Sequence, residues 1–187
     1  MHRPIAKLSS LLLAASLLCG FVMSANAEET GEPPAPARPD CSSAQHQKLR
    51  MLLGEWTVSV DDKVVGHNTL SPVFGDCAVR EEWKSASGND GTSLTFYDSQ
   101  LDIYRQTWID SHGIVLELSG GFDGDSLVLE GRRPSVKDAD TTVHHRIRWT
   151  PNEDGGFQQV WTVSTDGGKT WKTVFNGTYA HASARPK

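Results

Sequence analysis

The chain is predicted to fold as all-β: an antiparallel up-and-down barrel of about ten strands, preceded by one short helix. Three observations carry this. From Glu55 to Tyr179 the apolar side chains alternate, with no helical period anywhere. Turn-forming Gly, Asp and Asn residues cut that stretch at short, regular intervals, and all six tryptophans lie inside it. Links this tight force neighbouring strands antiparallel, because a parallel crossover needs about a dozen residues or more. A sheet of that size twists, and closing on itself removes its edges.

The elements follow in chain order. Residues 1–27 have the plan of an export signal: basic Arg3 and Lys7, an apolar run from Leu11 to Met23, and small residues ending at Ala27. Leu18 stands before Cys19, where lipoprotein cleavage needs a small residue, so no lipid anchor is expected. Residues 28–40 hold Pro33, Pro34, Pro36 and Pro39 and few apolar side chains, the composition of an extended, disordered linker. The barrel domain is placed at 41–187. A helix is expected near 43–53, with Ser42 and Gln45 as a capping box and Gly54 as its stop. Strands are expected near 55–61, 64–73, 77–87, 92–98, 102–110, 114–120, 126–132, 141–150, 156–164 and 170–180. One longer loop, Arg133 to Asp140, interrupts an otherwise simple meander.

Cys41 and Cys77 follow the leader, and an even count in an oxidising compartment predicts that they pair. Closing that loop stabilises by roughly 4 kcal/mol in the chain-entropy treatment. Asp and Glu number 23 against 18 Lys and Arg, two of which lie in the leader. That acidic balance disfavours nucleic acid and anionic membrane as partners. No second apolar stretch follows to make a stable membrane anchor. A homodimer is compatible with the composition, and the expected location is periplasmic or secreted.

Successive strand residues face opposite sides, which sorts the inner from the outer set. Val79, Glu81 and Trp83 oppose Arg80, Glu82 and Lys84, so the second, charged row faces out. By the same alternation His145 and Trp149 face in, as do Gln159 and Trp161. Strand 102–110 offers Tyr104, Gln106 and Trp108 against Ile103, Arg105, Thr107 and Ile109, and the first row is placed inside because Arg105 should be excluded. The candidate ligand-binding residues are therefore Glu81, Trp83, Tyr104, Gln106, Trp108, His145, Trp149, Gln159 and Trp161. The tryptophans supply contact walls and the polar members orient a small hydrophobic or amphipathic guest. Filling of the interior by those same side chains is the alternative.

Gly54-Glu55-Trp56, directly after a short helix and opening the first strand, resembles the Gly-x-Trp signature of lipocalin-like proteins, in which the Trp plugs the closed end of the barrel. From about Leu52 to Tyr179 the chain also resembles secreted bacterial proteins grouped as domain-of-unknown-function family 1579. Tyr97-Asp98, Gln106-Thr107-Trp108 and Gln159-Val160-Trp161 carry that likeness. It implies a calycin-type barrel and no assigned chemistry. No arginine of the last strand is placed to stack on Trp56. Ser164 to Trp171 matches the Asp-box, Ser-x-Asp-x-Gly-x-Thr-Trp, seen in sialidases and related propellers. A single copy cannot build a propeller, and the motif is expected to stabilise a hairpin.

Two other functions are weighed against binding. An enzyme would use Glu81 and His145, the one inward titratable pair, as general acid and base. No Gly-x-Ser-x-Gly elbow, phosphate loop or cysteine nucleophile accompanies them. A ligand-free interaction module of the envelope is the third reading. No metal site is expected: His144 and His145 are adjacent in a strand and point to opposite faces. No cofactor is assigned, although related ten-stranded barrels hold haem through a late-strand histidine, a role open here to His145 or His181.

Overall fold

The computed structural model describes residues 40–182. The expected leader and nearly all of the linker lie outside them. A five-residue helix α1 (Ala44–Lys48) runs into one 3-10 turn (Leu49–Leu52), and ten strands follow. They are β1 (Gly54–Val60), β2 (Lys63–Val73), β3 (Ala78–Ser85), β4 (Gly91–Asp98), β5 (Ile103–Asp110), β6 (Val115–Asp123), β7 (Ser126–Pro134), β8 (Thr142–Pro151), β9 (Phe157–Ser164) and β10 (Lys172–His181). Each pairs antiparallel with its neighbours in sequence, and β1 pairs with β10, so the sheet is a closed up-and-down barrel. Trp56 opposite His181 and Val58 opposite Tyr179 form the seam.

The expected strands all form, and their ends differ for local reasons. β6 extends to Asp123, because Phe122 packs edge-on against Tyr104 and Asp123 pairs with Ser126. Between β1 and β2 the link is Asp61-Asp62, both with positive φ, as a two-residue hairpin turn requires. The capping box is not formed: the helix starts after Ser43, whose side chain meets His46 Nδ1 at 2.7 Å instead of capping a backbone N–H.

The helical segment closes one end. Leu49 and Leu52 are buried there, and the Trp56 indole N–H donates to Leu52 O at 3.0 Å. Trp56 is 2% exposed, meeting Phe157 edge-on at 4.9 Å while Phe157 stacks on Tyr179 at 4.3 Å. His181 stacks on Trp56 at 4.2 Å. Cys41 and Cys77 form the expected disulfide, tying the start of the helix to the β2–β3 turn at this end. Tyr104 donates from its hydroxyl to Gln45 O at 2.8 Å and so anchors the helix to β5.

At the opposite end lie the β1–β2, β3–β4, β5–β6, β7–β8 and β9–β10 links. The Asp-box forms the last of these. Asp166 accepts the backbone N–H groups of Lys169 and Thr170 and the hydroxyls of Ser164 and Thr170, which hold its carboxyl well below the usual range. Trp171 closes the turn by donating to Gly168 O at 3.0 Å, and the Arg146 guanidinium lies 4.1 Å from its ring centre. The polar side chains of Ser164, Asp166, Thr170 and Trp171 are all spent on the hairpin.

Candidate functional site

The barrel is hollow in its open half, with a cavity of about 810 Å3. Its room comes from where the glycines stand. A Cβ on Gly66 would fall 2.5 Å from the Trp83 ring, one on Gly91 2.2 Å from the Trp108 ring, and one on Gly177 2.5 Å from the Phe175 ring. Each ring thus lies against bare backbone on the inner wall instead of across the bore. A side chain at any of the three positions would drive an aromatic ring inward.

Six of the nine residues proposed from sequence line the cavity: Glu81, Trp83, Gln106, Trp108, Gln159 and Trp161. Leu116, Ile147, Phe175, Val60 and Val65 complete the apolar wall. Three proposed residues point inward yet lie off the lining, which corrects their placement. Tyr104 and Trp149 are buried in the packed closed half, Tyr104 among Tyr97, Phe122 and the helix. His145 accepts the Trp161 indole N–H on Nδ1 at 3.2 Å and is not part of the cavity surface.

Polar groups gather on one side. Glu81 Oε1 accepts from Asn68 Nδ2 at 2.7 Å and Oε2 from the Ser93 hydroxyl at 2.6 Å. Gln106 Nε2 donates to Ser93 Oγ at 3.3 Å and Thr95 Oγ1 at 3.0 Å. Register puts these groups together, with Asn68 beside Trp83, Leu70 beside Glu81, Glu81 beside Ser93 and Thr95 beside Gln106. Tyr179 donates to Gln159 Oε1. Burial pushes the Glu81 carboxyl up, and the Ser93 and Asn68 bonds only partly oppose this. Burial, followed by the nearby Glu81 charge, pushes the Tyr179 phenol up as well. Asn68 is 2% exposed and its Oδ1 has no hydrogen-bond partner.

Sequence reasoning missed Asn68, Ser93, Thr95 and Tyr179. The signal was available in part: carrying the inward row Val79, Glu81, Trp83 across to the flanking strands selects Asn68, Ser93 and Thr95, given the register, whereas Tyr179 lies on β10, beyond those strands. Register itself depends on turn lengths and bulges, such as those after Val58 and Thr173, that the sequence leaves open.

The inward titratable pair is not joined. Glu81 on β3 and His145 on β8 stand five strands apart in either direction around the barrel, on opposite walls. Their hydrogen-bond partners are also separate sets. Burial first, then Arg133 and His144, pushes His145 down to about 4, leaving the ring neutral at neutral pH. The histidines do not fit haem ligation. Among the described residues no histidine, cysteine or methionine lines the cavity, His181 stacks on Trp56 at the closed end, and the Tyr179 hydroxyl is committed to Gln159.

Fold and site together define a closed ten-stranded β-barrel with an indole-walled internal cavity, a class compatible with ligand binding. No family model and no curated protein matches the chain.

Proposed function

We propose that this protein is an exported carrier that holds a small, partly apolar molecule inside its barrel. One observation carries the reading: a cavity of about 810 Å3, walled by Trp83, Trp108 and Trp161, with a buried carboxyl network on one side. Small-molecule sites combine a mostly apolar concave wall with a few oriented polar groups, in volumes of roughly 300–1,000 Å3. The tips of the Trp83 and Trp108 rings lie against the bare backbone of Gly66 and Gly91, which keeps the bore clear. Trp56, set after the helix and plugging the closed end, supports the likeness to lipocalin-like barrels and to family 1579. The Cys41–Cys77 disulfide supports a periplasmic or secreted location.

Native mass spectrometry of protein purified from its own envelope tests the proposal. A retained small molecule of definite mass is expected, and wild-type protein carrying none, together with no binding of any amphiphile in solution, would overturn it. Gly177→Ala provides a geometric control. The added methyl meets the Phe175 ring and Val58 but no backbone, so the fold should tolerate it while Phe175 swings into the cavity and the retained mass is lost.

A further inference from the structure

Resting on the binding reading above, we propose that the guest is a protonated amine carried on an apolar body, with its ammonium group seated at Glu81. Glu81 is a carboxyl inside the barrel without a cationic partner: none of the ion pairs among the described residues includes it. Buried carboxylates are ordinarily paired, because an isolated charge in low dielectric is costly. The two groups that bond Glu81, Asn68 Nδ2 and the Ser93 hydroxyl, are neutral, so they orient the carboxylate without balancing its charge.

The rest of the lining sharpens the choice of guest. Among the described residues its one cation, Lys63, is an exposed residue at the mouth, and its other carboxylate, Asp110, accepts the His112 and Ile114 backbone N–H groups of its own turn. The Trp161 N–H is spent on His145, which leaves that indole's hydrocarbon surface to the cavity. Indole rings attract cations and repel anions at their faces. Behind Glu81 the unpartnered Asn68 Oδ1 adds a further acceptor and no positive charge. An ammonium group would neutralise the carboxylate and reverse the upward push that burial exerts on it. A neutral alcohol donates one hydrogen bond and leaves the charge uncompensated, and a carboxylate guest is repelled.

A self-contained arrangement competes with this. With Glu81 protonated and the Asn68 amide turned over, the acid would donate to Asn68 Oδ1 and the carboxyl would need no cationic guest. Isothermal titration of the wild-type chain at neutral pH with decylamine, decanol and decanoate separates the two. The expected result is decylamine binding about tenfold or more tighter than decanol, with decanoate weakest. In Glu81→Gln the amine-to-alcohol ratio should fall towards one, decanol serving as the reference within each protein. Equal binding of decylamine and decanol to the wild type, or a preference that survives in Glu81→Gln, would overturn the assignment while leaving the carrier reading intact. Absence of binding by all three would overturn the amine assignment, and would overturn the carrier reading as well when the natively purified protein carries no retained mass. The wild-type ratio stands by itself should Glu81→Gln not fold.

Discussion

The two halves of the barrel are built from the same strands with the same alternation, yet one is solid and the other hollow. In the closed half the inward rows meet material from outside the sheet: Leu49 and Leu52 of the helical segment press in, Trp56 meets Phe157 edge-on, and Phe157 stacks on Tyr179. Across the open half nothing enters from outside, and the largest rings are laid against Gly66, Gly91 and Gly177. Large apolar residues alone therefore do not make a core. What stands opposite them decides whether the space is filled.

Breaking the closed half should cost the most. Trp56→Ala removes a buried indole together with its bond to Leu52 and is expected to destabilise by about 3–5 kcal/mol in chemical denaturation. Trp83→Ala, a truncation of equal size on the cavity wall, should cost far less stability while weakening guest retention. Equal losses for the two would erase the distinction between the halves. Replacing both Cys41 and Cys77 with serine is expected to cost roughly 4 kcal/mol, since the bond closes a long loop of the unfolded chain. Denaturation with and without reductant measures the same quantity.

The open half should show a subtler signature. Because burial raises the Glu81 carboxyl above its ordinary value of 4.5, the folded state binds its proton more tightly than the unfolded chain does. Its contribution to stability is then fully present below the ordinary carboxyl range and is lost as pH rises through the raised value. Glu81→Gln should therefore match the wild type under acidic conditions and exceed it at neutral pH. His145, pushed down to about 4, trends the opposite way, since the unfolded chain takes up its proton first on acidification. That trend is common to both proteins and cancels in their difference, while Tyr179 stays protonated throughout. Melting curves across this range read the difference, and a constant offset would refute the raised value. Smallest of all, His181→Ala should lose about 0.5–1.5 kcal/mol, the value of one aromatic stack at the plug.

Much of the fold was legible because local rules and global closure agree. Turn pairs such as Asp61-Asp62, and the alternation of Glu81 and Trp83 with Arg80 and Glu82, both specify an antiparallel meander. The site was legible only in its parity. Alternation shows that Tyr104, Trp149 and Trp108 all face inward, but not how far along the axis each sits. That position divides Trp108 on the cavity wall from Tyr104 and Trp149 in the packed half. Likewise, His145 faces inward and is still removed from the lining by its bond to Trp161, a contact across strands that no spacing along the chain encodes. The capping box failed for a simpler reason: the helix starts one residue later, after Ser43, whose hydroxyl is taken by His46.

The seam between β1 and β10 joins the domain's two extremities, with Val58 opposite Tyr179. A chain lacking its last strand therefore remains an open ribbon wherever it folds, and no shorter length has a sealed form. Premature termination within β10 would not yield a smaller vessel. It would leave β1 and β9 as raw margins, primed to pair with the next unfinished copy.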